Sequence, residues 1–311
     1  MKAFILAAGF GSRLRPITNS VPKPLIPVLN LPAICYTLTL LKETKIETVI
    51  CNVHHHADHI RRFFSENDNF GIDMHISEET TILGTGGGLK QCEKLLDDGE
   101  PFVVINSDII ADFNLQALIE AHASSGNAGT LMLFETAEAK TIGDVGIHEK
   151  QIRDFRNMRK TGIRSDCIYA GAAILDPSIF QYLEKKFSSI VDTGFTGLIE
   201  RESLGYFRHE GFWQDIGTPQ SFWQANIEKR KNIFQIGKRI GSQIGFEPHM
   251  LSSQAVIADN ATVHESIIGR NCHIEDGATV KDSVLLPGTT VPKDTNLDRV
   301  IAFPQGMLSL E

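Results

Sequence analysis

Over the first third of the chain, short apolar runs alternate with longer amphipathic stretches. "KAFILA", "ETVICNV", "IDMHIS" and "PFVVINSD" read as strands, and "PAICYTLTLLKE", "ADHIRRFFSEN" and "GGLKQCEKLL" read as the helices between them. That alternation is the βαβ rhythm of an α/β protein, a mostly parallel sheet with helices on both faces. Further on, "GTLMLFE" and "CIYAGAAIL" add strands, while "DPSIFQYLEKK" and "TPQSFWQANIEKRKNIF" each open on a capping residue followed by proline, the signature of a helix start. The pattern runs out near residue 235, so residues 1–235 are expected as one domain and 236–250 as a linker.

The last quarter follows another period. Aliphatic residues stand at Ile257, Val263, Ile268, Ile274, Val280, Leu285 and Val291, at spacings of 6, 5, 6, 6, 5 and 6. No helix produces that interval. Short strands turning a corner about every six residues do, with each aliphatic inward and the small Ala261, Cys272 and Ala278 at tight positions. The spacing resembles the hexapeptide repeat of left-handed parallel β-helices, so residues 251–311 are expected to form such a domain. A stack of roughly two coils has open ends that need a cap or a partner subunit, which makes a homo-oligomer through this tail the expected association.

Composition narrows the function. The chain has 311 residues, 42% of them hydrophobic, enough for a sizeable core, and a formal net charge of −8. An acidic surface argues against nucleic acid and anionic membranes as partners, because phosphate-backbone binding needs basic surface. The apolar run after Lys2 reaches only Gly9 before charge arrives at Arg13, too short for a signal-peptide core or a membrane span. Five dispersed cysteines without a CxxC pair give neither a disulfide framework nor a zinc site, and a reducing cytoplasm is the expected location. The histidines of "NVHHHADH" fall where a strand meets a helix and lack a matched carboxylate motif, so no metal is assigned to them.

Against the acidic whole, residues 1–42 hold Lys2, Arg13, Arg15, Lys23 and Lys42 and no carboxylate. A glycine-rich turn after a strand lets backbone N–H groups approach phosphate oxygens, and nearby cations neutralise them. "GFGSRL" has the first two glycines of the dinucleotide fingerprint, but Leu14 stands where the third belongs, and the loop is not a P-loop either. Lys23 lies between Pro22 and Pro24, which restrict the backbone and keep its side chain aimed.

"LAAGFGSRLRP" with "VPKPLIPV", then "LGTGGGL" at 83–89, "VVINSD" at 103–108 and "FWQDIGTPQSF" at 212–222, resembles the sugar-1-phosphate nucleotidyltransferases, the nucleotide-sugar pyrophosphorylases, over about residues 1–230. The nearest likenesses are N-acetylmuramate-1-phosphate uridylyltransferases through "TGGG" and the W-x-D-[IV]-G-T block, and mannose- or heptose-1-phosphate guanylyltransferases through "LGTGG". The resemblance implies a Rossmann-like mixed sheet and transfer of a nucleotidyl group from a nucleoside triphosphate, UTP favoured over GTP, to a sugar 1-phosphate. It gives Arg13 to the leaving pyrophosphate, Lys23 to the reacting phosphates, and Asp108 and Asp215 to Mg²⁺. The nucleotide site then comprises Leu6, Ala7, Ala8, Gly9, Gly11, Ser12, Arg13 and Lys23 with Glu78, Gly84, Thr85 and Gly86; Asn106, Gly143, Tyr169 and Gly171 line the sugar pocket. Two departures stand out: Ser107 replaces the usual glycine before the aspartate, where it would crowd the nucleotide, and "FRNMRK" at 155–160 replaces Glu-Lys-Pro. A non-catalytic regulatory subunit that binds nucleotide sugars is the alternative; all four charged side chains are present, which favours the enzyme.

Overall fold

The computed structural model describes residues 1–310 and divides into two compact units. Met1–Phe10 and Leu40–Trp213 make the first; Gly11–Thr39 and Gln214–Glu311 make the second.

The first unit is built on a nine-stranded mixed sheet. Its order is Asp73–Glu78, Thr48–Val53, Lys2–Leu6, Phe102–Asn106, Cys167–Leu175, Gly129–Glu135, Leu204–His209, Gln151–Phe155, Val145–His148. The first four strands run parallel, as the βαβ rhythm requires; Thr48–Val53, Lys2–Leu6 and Phe102–Asn106 are apolar and largely buried, as inner parallel strands are, whereas the edge strand Asp73–Glu78 is half exposed. Cys167–Leu175 runs antiparallel to both neighbours, and its register shifts between Tyr169 and Ala173, around Gly171 at φ 93°. A left-handed glycine inside a strand marks a local bulge that re-aims the flanking side chains. Phe4, Ile50, Val104, Leu131 and Ala173 are fully buried and belong to one core cluster. Helix Leu115–Ser125 is capped by Asn114, whose side chain accepts from Ala117 N, and ends on left-handed Gly126.

"DPSIFQYLEKK" forms only a 3₁₀ segment, Pro177–Tyr182, with Ile179 and Phe180 buried in the core. The second expected helix exists as two. Thr218 accepts from Ser221 N and closes a capping box at the start of Pro219–Asn226, but the chain breaks at Ile227 and resumes as Arg230–Ile244. Residues 236–244, expected in a linker, are the last turns of that second helix.

The hexapeptide spacing folds into three parallel sheets, each with three stacked layers. Seventeen residues separate successive layers, Thr262 pairing with Thr279 and Thr279 with Asn296. That step is why the inward positions alternate sixes with fives. Cys272, Ile274, Ala278, Val280, Leu285 and Val291 fill the interior. Three layers exceed the roughly two coils that the spacing implies, because Leu251, Leu297 and Val300 extend the stack outside the regular aliphatic run. Strand Gly306–Ser309 folds back antiparallel on Val300–Phe303 and closes the edge of one sheet. Among the described residues no helix is long and apolar enough to cross a membrane.

Ile274→Ala removes a nearly fully buried side chain from this interior, and a loss of about 2–5 kcal/mol is expected. Urea unfolding followed by far-UV circular dichroism reads it; an unchanged midpoint would contradict the inward packing.

Candidate active site

In the first unit, the strand ends supply one set of groups. Lys2–Leu6 leads directly into Ala7 and Ala8, which are buried, and Gly9, which is exposed. The Ala7 N–H donates to Asn52 Oδ1 at 2.8 Å, and the Asn52 amide donates to Glu79 Oε1 at 2.7 Å. Glu79 Oε2 in turn accepts from the Leu83 N–H at 2.7 Å, just before helix Gly84–Gln91. One buried polar chain thus ties the first strand's end to the "GTGGG" turn. Glu78 lies outside it, exposed and paired with Arg61. Asn52 and Glu79 went unrecognised in the sequence; the signal for Asn52 was a polar residue inside the apolar run "TVICNV", whereas nothing local separated Glu79 from Glu78.

Glycines at 84, 86, 87 and 88 are there for close approach. A Cβ on Gly87 would stand 2.1 Å from the Lys186 carbonyl oxygen, and one on Gly88 would stand 2.4 Å from Glu79 Oε1. The Gly86 N–H donates to Ser188 O, the Ser188 N–H to Leu83 O, and the Ile190 N–H to Thr85 Oγ1. Gly84, Thr85 and Gly86 are therefore seated against residues 186–190.

Asn106 ends its strand and Asp108 follows in the turn before Ile109–Ala111. Between them the Ser107 hydroxyl donates to Leu6 O at 2.8 Å and is nearly buried, so it points into the sheet instead of crowding the turn. A Cβ on Gly171 would meet Asn106 Nδ2 at 3.2 Å, so these two sugar-pocket candidates are neighbours. Tyr169 packs edge-on against Phe195 at 5.5 Å between centroids; its hydroxyl is buried and lacks a hydrogen-bond partner among the described residues, and burial pushes its pKa up. Gly143, at φ 142°, lies against the Arg156 side chain. The departing loop 155–160 is held by buried Asp154, which accepts from the Arg159 and Thr161 N–H groups and the Thr161 hydroxyl. Burial alone would raise that carboxyl's pKa; the three donors more than offset it and hold it low.

The second unit supplies the cations. Gly11, at φ 62°, precedes the short 3₁₀ turn Ser12–Leu14, and its carbonyl accepts from the Thr18 hydroxyl at 2.9 Å. Lys23 opens a later 3₁₀ turn, Lys23–Leu25, between its two prolines. Arg13, Lys23 and Asp215 meet at Gly217. From that glycine's Cβ position, Asp215 Oδ1 is 2.6 Å away, Arg13 Nη2 2.8 Å and Lys23 Nζ 3.2 Å. The Gly217 N–H donates to Asp215 Oδ1, fixing the carboxylate beside both cations. Any side chain at 217 would displace charged groups that residues far apart in sequence bring to one point.

A mixed sheet with a glycine-rich first loop, an aspartate just beyond the fourth strand and a basic cluster around an aspartate–glycine turn defines a nucleotide-binding phosphotransfer protein. Residues 2–232 match the nucleotidyl transferase family, and residues 238–303 match the GlmU-like C-terminal hexapeptide family. The chain belongs to the nucleotidyl transferase family and is an enzyme of the sugar-1-phosphate nucleotidyltransferase type. Mannose-1-phosphate guanylyltransferase 1 of Arabidopsis thaliana is 31% identical over 304 residues, 96% of this chain and 83% of its own length. A mannose-1-phosphate guanyltransferase of Gibberella zeae is 32% identical over 277 residues, 88% and 74% of the two chains. Among solved structures, a Bacillus anthracis protein assigned as a glucose-1-phosphate thymidylyltransferase superposes with a TM-score of 0.66 at 26% identity, over 73% of this chain and 94% of that one.

Asp144, next to Gly143, is buried and accepts from Arg164 Nε at 2.7 Å and Nη2 at 2.9 Å. The guanidinium holds its carboxyl below the usual range, against the opposing effect of burial. A carboxylate lowered by folding adds stability above its unfolded pKa of about 4, and that stability is lost as pH falls through the lower folded value. Arg164→Met is therefore expected to lower Tm at pH 7, with the deficit closing below about pH 4, where the unpaired carboxyl takes up a proton. Melting curves across that range test it; a deficit of equal size at pH 7 and pH 3 would assign the loss to another cause.

Proposed function

We propose that the enzyme transfers a guanylyl group from GTP to a sugar 1-phosphate, with mannose 1-phosphate as the first candidate acceptor. The observation that carries the phosphate chemistry is the gathering of Arg13, Lys23 and Asp215 around Gly217. The choice of base rests on the relatives. The sequence motifs favour UTP, but the mannose-1-phosphate guanylyltransferases of Arabidopsis thaliana and Gibberella zeae align through the repeat tail as well as the nucleotidyltransferase domain, which supports GTP.

In this reaction an oxygen of the sugar phosphate attacks the α-phosphorus, the α–β bridging bond breaks, and pyrophosphate leaves with the electron pair. A phosphate monoester has a second pKa of about 6, so the nucleophile is ionised at neutral pH and needs no general base. The barrier is the approach of two anions, and fixed cations lower it by neutralising charge without reorganising during the reaction. Arg13 takes the charge developing on pyrophosphate, and Lys23, restrained by Pro22 and Pro24, holds the reacting phosphates. The backbone at Ala7, Ala8 and Gly9 receives the base, and Asn106, Gly143, Tyr169 and Gly171 receive the sugar.

Asp108 and Asp215 are the carboxylates assigned to Mg²⁺, a donor set that suits an ion completed by phosphates and water. The Gly217 N–H holds the Asp215 carboxylate in a fixed orientation, which fits that use. When bound, the ion would supply positive charge that offsets the anionic phosphates. The five cysteines are buried and unbridged, which fits a reducing compartment such as the cytoplasm.

Pyrophosphate release measured over a matrix of nucleoside triphosphates and sugar 1-phosphates with magnesium is expected to peak at GTP with mannose 1-phosphate. A higher kcat/KM with UTP would overturn the base assignment. Lys23→Ala and Asp108→Asn are each expected to cut kcat by about 10²–10³-fold with an unchanged circular dichroism spectrum, and near-normal turnover in either would refute its role.

A further inference from the structure

Residues Gly11–Thr39 form one compact unit with Gln214–Glu311, so the loop carrying Arg13 and Lys23 belongs to the same body as the repeat tail. The connection runs through a few residues. Strands Pro27–Val28 and Leu31–Pro32 make a small hairpin whose turn residues, Leu29 and Asn30, are both left-handed, at φ 50° and 62°. A branched aliphatic residue seldom adopts that conformation, and here its backbone is held on both sides. The Leu29 N–H donates to fully buried Asn226 Oδ1 at 2.8 Å, and Leu29 O accepts from the His249 N–H at 3.0 Å. The Asn30 side-chain amide then donates to His249 O at 3.0 Å, to Ile268 O at 3.0 Å and, more weakly, to Met250 O at 3.4 Å. Ile268 belongs to the tail's inward-facing core.

The chain from this hairpin back to Lys23 has little freedom. Pro24 and Pro27 restrict it, and Ile26 accepts from the Ala33 N–H across the hairpin base. The other half of the charged cluster is tied to the same body. Helix Pro219–Asn226 begins two residues after Gly217; its Trp223 indole donates to Asp282 O at 2.7 Å, and the Arg299 guanidinium stands over the Trp223 ring at 4.4 Å. Both segments that carry the charges are thus fastened to the stacked coils.

We infer that the repeat tail is the scaffold that positions the phosphate-binding cations, and that Asn30 is the positioning residue joining them. This rests on the reading above that Arg13 and Lys23 bind the triphosphate and pyrophosphate. Asn30 touches no substrate; it sets where the loop's cations stand.

The test uses the full-length chain with Asn30→Gly, which keeps the left-handed turn and deletes the amide, and Asn30→Asp, which keeps the shape and deletes the donor. Arg13→Ala is measured in parallel. Assays run well below each variant's Tm and record kcat, KM for both substrates and the inhibition constant of pyrophosphate. Both Asn30 variants are expected to weaken pyrophosphate inhibition and raise the KM for the triphosphate about tenfold, with the KM for sugar 1-phosphate within twofold of wild type. If Arg13→Ala weakens pyrophosphate inhibition and the Asn30 variants do not, the positioning role is wrong. A lowered Tm with wild-type kinetics also overturns it, since that is what a purely structural contact would give. If Arg13→Ala itself leaves pyrophosphate inhibition unchanged, the phosphate-binding reading fails first.

Discussion

The arrangement depends on two cations and a carboxylate held around a residue without a side chain. Arg13, Lys23 and Asp215 each come within about 3 Å of the space a Cβ on Gly217 would fill, so the glycine is a spatial requirement of the charge cluster. Unpaired, the two cations would repel one another. The Asp215 carboxylate, held by the Gly217 N–H, stands in the same space and offsets that repulsion. Preorganised charge is worth most where the reaction itself is a meeting of anions. With a net charge of −8 overall, this local excess of cations stands out against an acidic chain.

A second use of glycine operates in the sheet-bearing unit. In "GTGGG" the absence of side chains admits the Lys186 carbonyl and the Glu79 carboxylate to within contact of the helix backbone. The helix is poor by intrinsic propensity and stands because residues 186–190 and the Asn52–Glu79 pair hold it. Tertiary hydrogen bonds thereby replace local preference, and the turn's position is transmitted to Ala7 through a buried network in which each polar group has a partner. Ser107 belongs to the same logic: its hydroxyl closes onto the first strand, which is how a residue larger than glycine fits that turn.

The parallel strands and the hexapeptide tail were legible because each imposes a period, and inward positions from Cys272 to Val291 were read residue by residue. The charged groups were legible only jointly, through motifs scattered from Arg13 to Asp215. What escaped was decided by contacts between distant segments. The helix break at Ile227 follows Asn226, whose amide is committed to Leu29 across 197 positions of sequence, and no local signal announces that bond. Glu79 is indistinguishable from Glu78 until the strand's end is placed. Asn30 carried no reading in the sequence, since nothing local announces the three carbonyls that its side-chain amide reaches more than two hundred positions away.

The same long-range bonds decide which part of the chain holds the segment that carries Arg13 and Lys23. The nine-stranded sheet is complete by residue 209, N-terminal to the partners of Leu29 and Asn30. Those partners lie at Asn226, His249 and Ile268, so the hairpin that follows Lys23 is held by segments from the far end of the chain. A repeat tail that served only as a subunit contact would share no hydrogen bonds with the hairpin beyond Lys23. Here Leu29 is bonded to Asn226 and His249, and the Asn30 amide reaches Ile268 in the tail's core, so Gly11–Thr39 and the C-terminal segments form one compact unit.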